Sequence, residues 1–172
     1  MLNAGALAFI PFRGVGSLVF GLLSPPAAAA EHDPKAEVAA TVDAVLKAGQ
    51  AGDMQALRDL YAPDCTFIDE FAPFLWSGPH AIDSYFASGF QMYQQTQHMN
   101  GKTTLSPPAF VYVAADRALV VEPLSGTATV HGKPYSLQGA YAYTLARIDG
   151  RWKITSQTWT KTTENRDPYR AD

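Results

Sequence analysis

Residues 61–86 read YAPDCTFIDEFAPFLWSGPHAIDSYF, and the division of this stretch decides the fold. Pro63 is expected to stop a helix, because proline lacks the N–H that an interior turn needs. From Cys65 to Phe71 the residues alternate as in a strand, so Cys65, Phe67, Asp69 and Phe71 share one face. Gly78-Pro79 then opens a new helix, with Ile82, Tyr85, Phe86, Phe90 and Tyr93 on its apolar stripe. The expected unit is therefore helix, strand, aromatic loop, helix. Asp69 is the one charged residue on an otherwise apolar strand face.

Upstream, Asp33-Pro34 is a helix start, followed by Val38, Val42, Val45 and Leu46 at helical spacing. Gly49 to Gly52 ends that stripe. Asp53 caps a shorter helix carrying Met54, Leu57, Leu60 and Tyr61. Downstream of His98 the pattern turns to strands. Phe110 to Ala114, Ala118 to Val121, Ser125 to Val130, Tyr135 to Ile148 and Trp152 to Lys161 are separated by turn residues, with Asp149-Gly150 a strong hairpin signal. Pro123 points to a bulge or a sheet edge. The order predicts an α+β fold, with three N-terminal helices packed on a strongly curved, mostly antiparallel sheet. Such a sheet, closed by helices, leaves a cone-shaped pocket of the kind that binds small molecules.

The chain of 172 residues suffices for one domain, and its net charge of -3 comes with no Lys/Arg cluster. Nucleic-acid binding is not expected, nor a polybasic membrane contact. Residues 1–30 read as an export signal: Arg13, a short apolar run over Gly14 to Leu23, a Ser24-Pro25-Pro26 break, and Ala27 to Ala30 as a cleavage region. The run is too short and too interrupted to span a membrane. Export to the periplasm or the exterior is expected, with residues 31–161 as the folded domain and 162–172 as a polar tail. Cys65 is the single cysteine, so no intramolecular disulfide forms, and it reads as a small buried apolar residue.

Four segments carry a family likeness: AGD at Ala51–Asp53, YAPDCTFID at Tyr61–Asp69, SGPHAIDSYF at Ser77–Phe86 and DGRWKITS at Asp149–Ser156. With their order, the chain resembles the nuclear transport factor 2-like superfamily, in its SnoaL-like and ketosteroid isomerase-like branch. The resemblance implies a homodimer paired through the sheet. It places Asp69 at the general-base position of ketosteroid isomerases. The oxyanion tyrosine of those isomerases falls at Val45, and their second oxyanion donor falls near Tyr141. A histidine at the position of His98 lines the pocket in several SnoaL-like relatives.

Among the residues themselves, Asp69 is either a base whose pKa is raised by burial, or a cap of the turn before Ala72-Pro73. His98 can pass a proton near neutral pH. Tyr141, with Tyr135 and Tyr143 on the same strand face, can donate to a developing oxyanion. Tyr61, Phe67, Phe71, Trp76, Tyr85, Tyr143 and Trp159 are the expected substrate-binding set; the alternatives for Trp76 are core packing or a subunit contact, and for Trp159 an interface. Glu70 alternates to the solvent side. The four histidines are scattered in sequence, and no phosphate-cradling, dinucleotide or nucleophile-elbow motif occurs. No metal and no cofactor is expected. The expected function is a cofactor-independent lyase or isomerase acting on a hydrophobic cyclic or aromatic compound. The alternative is a non-catalytic ligand-binding or dimerisation module.

Overall fold

A computed structural model describes residues 33–170 of the chain, so the expected leader lies outside the described residues. Three helices come first: α1 (Pro34–Ala51), α2 (Met54–Leu60) and, after two strands, α3 (Ala81–Gln95). The strands are β1 (Tyr61–Ile68), β2 (Leu75–Ser77), β3 (Met99–Leu105), β4 (Phe110–Ala114), β5 (Arg117–Val130), β6 (Lys133–Ile148) and β7 (Arg151–Glu164). They form one sheet in the order β2-β1-β7-β6-β5-β3, with β4 also pairing β5. Among the described strands only the β1–β7 pair is parallel. This is the α+β architecture expected, with three helices on a curved, mostly antiparallel sheet.

Both expected N-caps form. Asp33 accepts from the Lys35 N–H, and Asp53 accepts from the Ala56 N–H, each at 2.9 Å. Gly52, with φ of 66°, ends α1 in a left-handed turn and lets α2 fold back. Val38, Val42 and Val45 face the sheet from α1, and Ile82 and Tyr85 from α3. Phe67 lies fully buried at their meeting point. Burying such a side chain is worth roughly 1.5–3 kcal/mol. Cys65 is buried beside it, as a free thiol.

Several boundaries differ from expectation, each for a local reason. The strand expected over Cys65 to Phe71 runs instead from Tyr61 to Ile68, and Pro63 sits inside it. The ladder to β7 is irregular between Tyr61 and Thr66, so the missing proline N–H breaks no regular pair. Asp69 therefore stands one residue past the strand end. Pro123 makes no bulge: β5 runs unbroken past it. Its carbonyl accepts from the Ser106 N–H at 2.9 Å, so its backbone faces the gap between β3 and β4, where no N–H is required. β3 gave no sequence signal because its residues are almost all exposed. The loop after Phe71 contains β2, which pairs Trp76 with Phe67.

Two irregularities in the β6–β7 ladder, at Gln138/Gly139 and Thr144/Leu145, bend the two longest strands. The second inserts an extra residue in β7, so the inward parity changes. Trp152 and Ile154 face the core before it, and Gln157 and Trp159 face inward after it.

Candidate functional site

The concave face of the sheet and the inner sides of α1 and α3 enclose a cavity of about 590 Å³, within the range of small-molecule sites. Asp69 lies at its wall. The strand parity of β1 carries past Ile68 and turns the carboxylate inward, where it is 9 % exposed. The Asp69 N–H donates to the Phe74 carbonyl at 3.2 Å, which closes the turn beneath it. One carboxylate oxygen accepts from the Glu70 N–H at 2.7 Å. The other accepts from the Tyr85 hydroxyl at 2.6 Å. Asp69 is thus both a turn residue and a cavity residue.

The bonding extends beyond that pair. Gln157 Nε2 donates to the Tyr85 hydroxyl at 3.5 Å, and Gln157 Oε1 accepts from the buried Tyr61 hydroxyl. Every donor in this chain points toward the carboxylate, so each bond polarises the next. Burial pushes the Asp69 pKa up to about 6, and the bonds from Tyr85 and Glu70 restrain the rise. Burial also pushes Tyr61, Tyr85 and Tyr141 well above the ordinary phenol range, so all three remain hydrogen-bond donors near neutral pH. Tyr141 borders the same cluster from β6. Its ring centroid is 5.0 Å from Trp159, and its phenol feels the Asp69 carboxylate and the Tyr85 hydroxyl.

His98 lines the same cavity but joins no bond to Asp69. It follows the turn after α3, with its ring 4.7 Å from that of Tyr93 and 5.8 Å from that of Tyr135. Its Nδ1 is buried without a partner, and burial lowers its pKa, which keeps the imidazole neutral. Phe71, Tyr85, Tyr143 and Trp159 line the wall with Tyr61. The expected substrate residues Phe67 and Trp76 do not. Phe67 stacks behind Tyr85 at 4.4 Å, and Trp76 is held in the core by Phe71, Tyr85 and a 3.2 Å bond to Ser88. Their places are taken by Phe86, Phe90 and Tyr93, from the stripe of α3. Glu70, expected in solvent, stands at the cavity rim and pairs with Lys161 at 2.9 Å.

The SnoaL-like domain profile matches residues 38–159. The chain belongs to the SnoaL-like family. Its fold is shared with solved structures of low identity. A type 2 hexachlorocyclohexane dehydrochlorinase (LinA) superposes with a TM-score of 0.63 at 12 % identity, covering 76 % of this chain and 86 % of that one. A ketosteroid isomerase-like protein from Erwinia carotovora atroseptica gives 0.61 at 19 %, covering 77 % and 99 %. The CaMKII hub of S. rosetta gives 0.61 at 21 %, with the same coverage of 77 % and 99 %. No curated protein matches the chain. These structural neighbours include proteins named for catalysis and a protein named as a hub, so the fold alone does not choose between chemistry and assembly.

The sequence reading missed Gln157 and another inward acid, Glu122. Gln157 escaped because the β7 bulge changes the parity that Trp152 and Ile154 set. Glu122 had a visible signal: in Val120-Val121-Glu122-Pro123-Leu124 it shares parity with Val120 and Leu124, both buried. Among the described residues no group of three or more His, Cys, Asp or Glu side chains could hold a metal ion. No helix there is long and apolar enough to cross a membrane.

Proposed function

We propose that this SnoaL-like protein is a cofactor-independent lyase or isomerase that moves a proton on a hydrophobic cyclic or aromatic small molecule. The observation that carries the reading is the Asp69 carboxylate: held from two sides, raised toward neutrality, and set at the wall of an aromatic cavity. Asp69 takes the proton from carbon. Its two fixed bonds keep the carboxylate in place while it does so, which removes reorganisation from the step. Tyr141, a donor at working pH, steadies the negative charge that develops on a substrate oxygen or leaving group. Neutral His98, with its unpaired nitrogen, is the second group able to hold or return a proton.

The test uses two compounds whose first step is loss of a proton from carbon. One is hexachlorocyclohexane, after the structural relative. The other is 3-cyclohexenone, which isomerises to the conjugated ketone. Asp69→Asn should lower the turnover of whichever compound reacts by about 10²–10⁴-fold while the circular dichroism spectrum stays unchanged. An equal rate in that variant removes Asp69 from the mechanism.

A second reading, a binding or dimerisation module, draws on the outer face of the sheet. Leu75, Ile68, Thr158, Ala142, Val121 and Phe110 form one row across it, and Tyr112 and Leu119 lie on the next. Ile68, Leu75, Phe110, Tyr112 and Leu119 are all exposed. A broad apolar face of this kind favours a homodimer. Leu119→Glu should convert the dimer to monomer in light scattering, and a wild-type chain that is monomeric at high concentration rejects the dimer. Export to the periplasm or the exterior is part of the same proposal, on the strength of residues 1–30.

A further inference from the structure

The last described residues do more than follow β7. β7 runs to Glu164, whose carboxylate accepts from Lys161 Nζ at 2.7 Å and from the Tyr135 hydroxyl at 3.1 Å. Lys161 also reaches Glu70, the neighbour of Asp69, at 2.9 Å. Asn165 then clamps the turn of β6: it exchanges two bonds with Ser136, at 2.9 and 3.0 Å, and a third goes to the Pro134 carbonyl at 3.4 Å. Up to this point the segment is riveted to the sheet.

Beyond Asn165 the chain turns back over the cavity. The bonds of Asp167 stay within the segment, to the Tyr169 N–H at 2.9 Å and to Arg170. Yet Pro168 is buried, and both Pro168 and Tyr169 line the cavity that holds Asp69. The Tyr169 phenol is raised by burial, and then by Glu70, which sets its hydroxyl beside the acidic rim. The base of the segment is bonded to the sheet at Asn165, and beyond it Pro168 and the half-exposed Tyr169 border the cavity.

We infer that residues 166–170 are a strap over the mouth of the Asp69 cavity, and that Pro168 and Tyr169 decide the length of ligand that fits and how much water enters. The strap closes by the contact of Pro168 and Tyr169 with the bound molecule, and it opens about the Asn165 clamp. This rests on the ligand-binding part of the proposed function, not on its chemistry. A ligand short enough to leave the strap closed is shielded from water, while a longer one must displace Tyr169.

The test compares the full chain with one ended after Asn165, and with Tyr169→Ala should the shortened chain not fold. Two measurements are made. In stopped-flow fluorescence, 2-naphthol should leave the strapless protein at least tenfold faster. Without any ligand, acrylamide should quench tryptophan more strongly, because Trp159 lines the cavity while Trp76 and Trp152 are only 5 % and 6 % exposed. Equal release and equal quenching in a folded strapless chain overturn the strap. If the full chain takes up no naphthol, the binding premise fails, and quenching alone still decides whether the segment covers the cavity.

Discussion

Two carboxyl groups lie inside this sheet, and they are built differently. Asp69 stands just past the end of β1, 9 % exposed, with both oxygens bonded. Glu122 stands in the middle of β5, 2 % exposed, and its Oε2 has no partner. Burial raises both, Asp69 to about 6 and Glu122 to about 7; the Asp43 carboxylate of α1 raises Glu122 further. Only Asp69 borders the cavity, although Glu122 is in register with Tyr141 across the ladder. A raised pKa therefore marks burial in both, and it marks a usable base only where donors fix the group beside open space. Glu122 pays for its place without evident return.

The largest expected effect separates the two by turnover. Asp69→Asn should lower the rate by about 10²–10⁴-fold, the range for one positioned proton transfer. Glu122→Gln should leave the rate within a few-fold of wild type, because the side chain touches neither the cavity nor the Asp69 chain of bonds. The kinetics of the two variants on the same compound check this. A loss in Glu122→Gln as deep as in Asp69→Asn would break the contrast and bring Glu122 into the site.

Asp69 was readable in the sequence, and Glu122 was passed over, for related reasons. The inward face of β1 could be counted directly, since Cys65, Phe67 and Asp69 alternate without interruption. The helix stripe delivered Tyr85 in the same way. What could not be counted were the consequences of irregular pairing. Pro63 sits inside a strand because the ladder there is irregular, and Gln157 turns inward because one extra residue enters β7. Trp159 lies across Gly139, where any Cβ would collide with the Trp159 ring and the Thr160 carbonyl; the space for the indole depends on a glycine two residues before Tyr141. Periodicity reads regular pairing, whereas these positions are set by tertiary register. The rim pairing of Glu70 with Lys161 joins residues 91 apart in sequence, and it too was invisible.

A smaller effect sharpens what the fixed bonds do for Asp69. The Tyr85 hydroxyl favours the ionised carboxylate and so lowers its pKa against the push of burial. In wild type the rate should rise with pH through about 6 as Asp69 loses its proton. Tyr85→Phe removes the bond, so that limb should move to higher pH, and the plateau should fall by about tenfold through lost positioning. The pH profiles of the two proteins decide it. A limb that stays in place would mean that Tyr85 only fills space.

The smallest effect belongs to Glu122 and is read as stability. Its folded pKa is raised, so the folded state binds the extra proton between its unfolded value near 4.5 and its folded value near 7. Ionisation is thus harder in the folded chain. The penalty is absent below the lower value, grows as pH rises between the two, and is complete above the upper one. Asp69 adds a similar slope from 3.8 to about 6, common to wild type and to a Glu122 variant. Glu122→Gln cannot ionise. It should therefore gain on wild type as pH rises, by on the order of 1 kcal/mol at pH 8 relative to pH 4.5, less than the full linkage because water and side-chain motion relieve a buried charge. Urea midpoints of both proteins at the two pH values give the difference. If the gap between them does not widen with pH, Glu122 has found a partner in solution, and the two acids are more alike than their bonding implies.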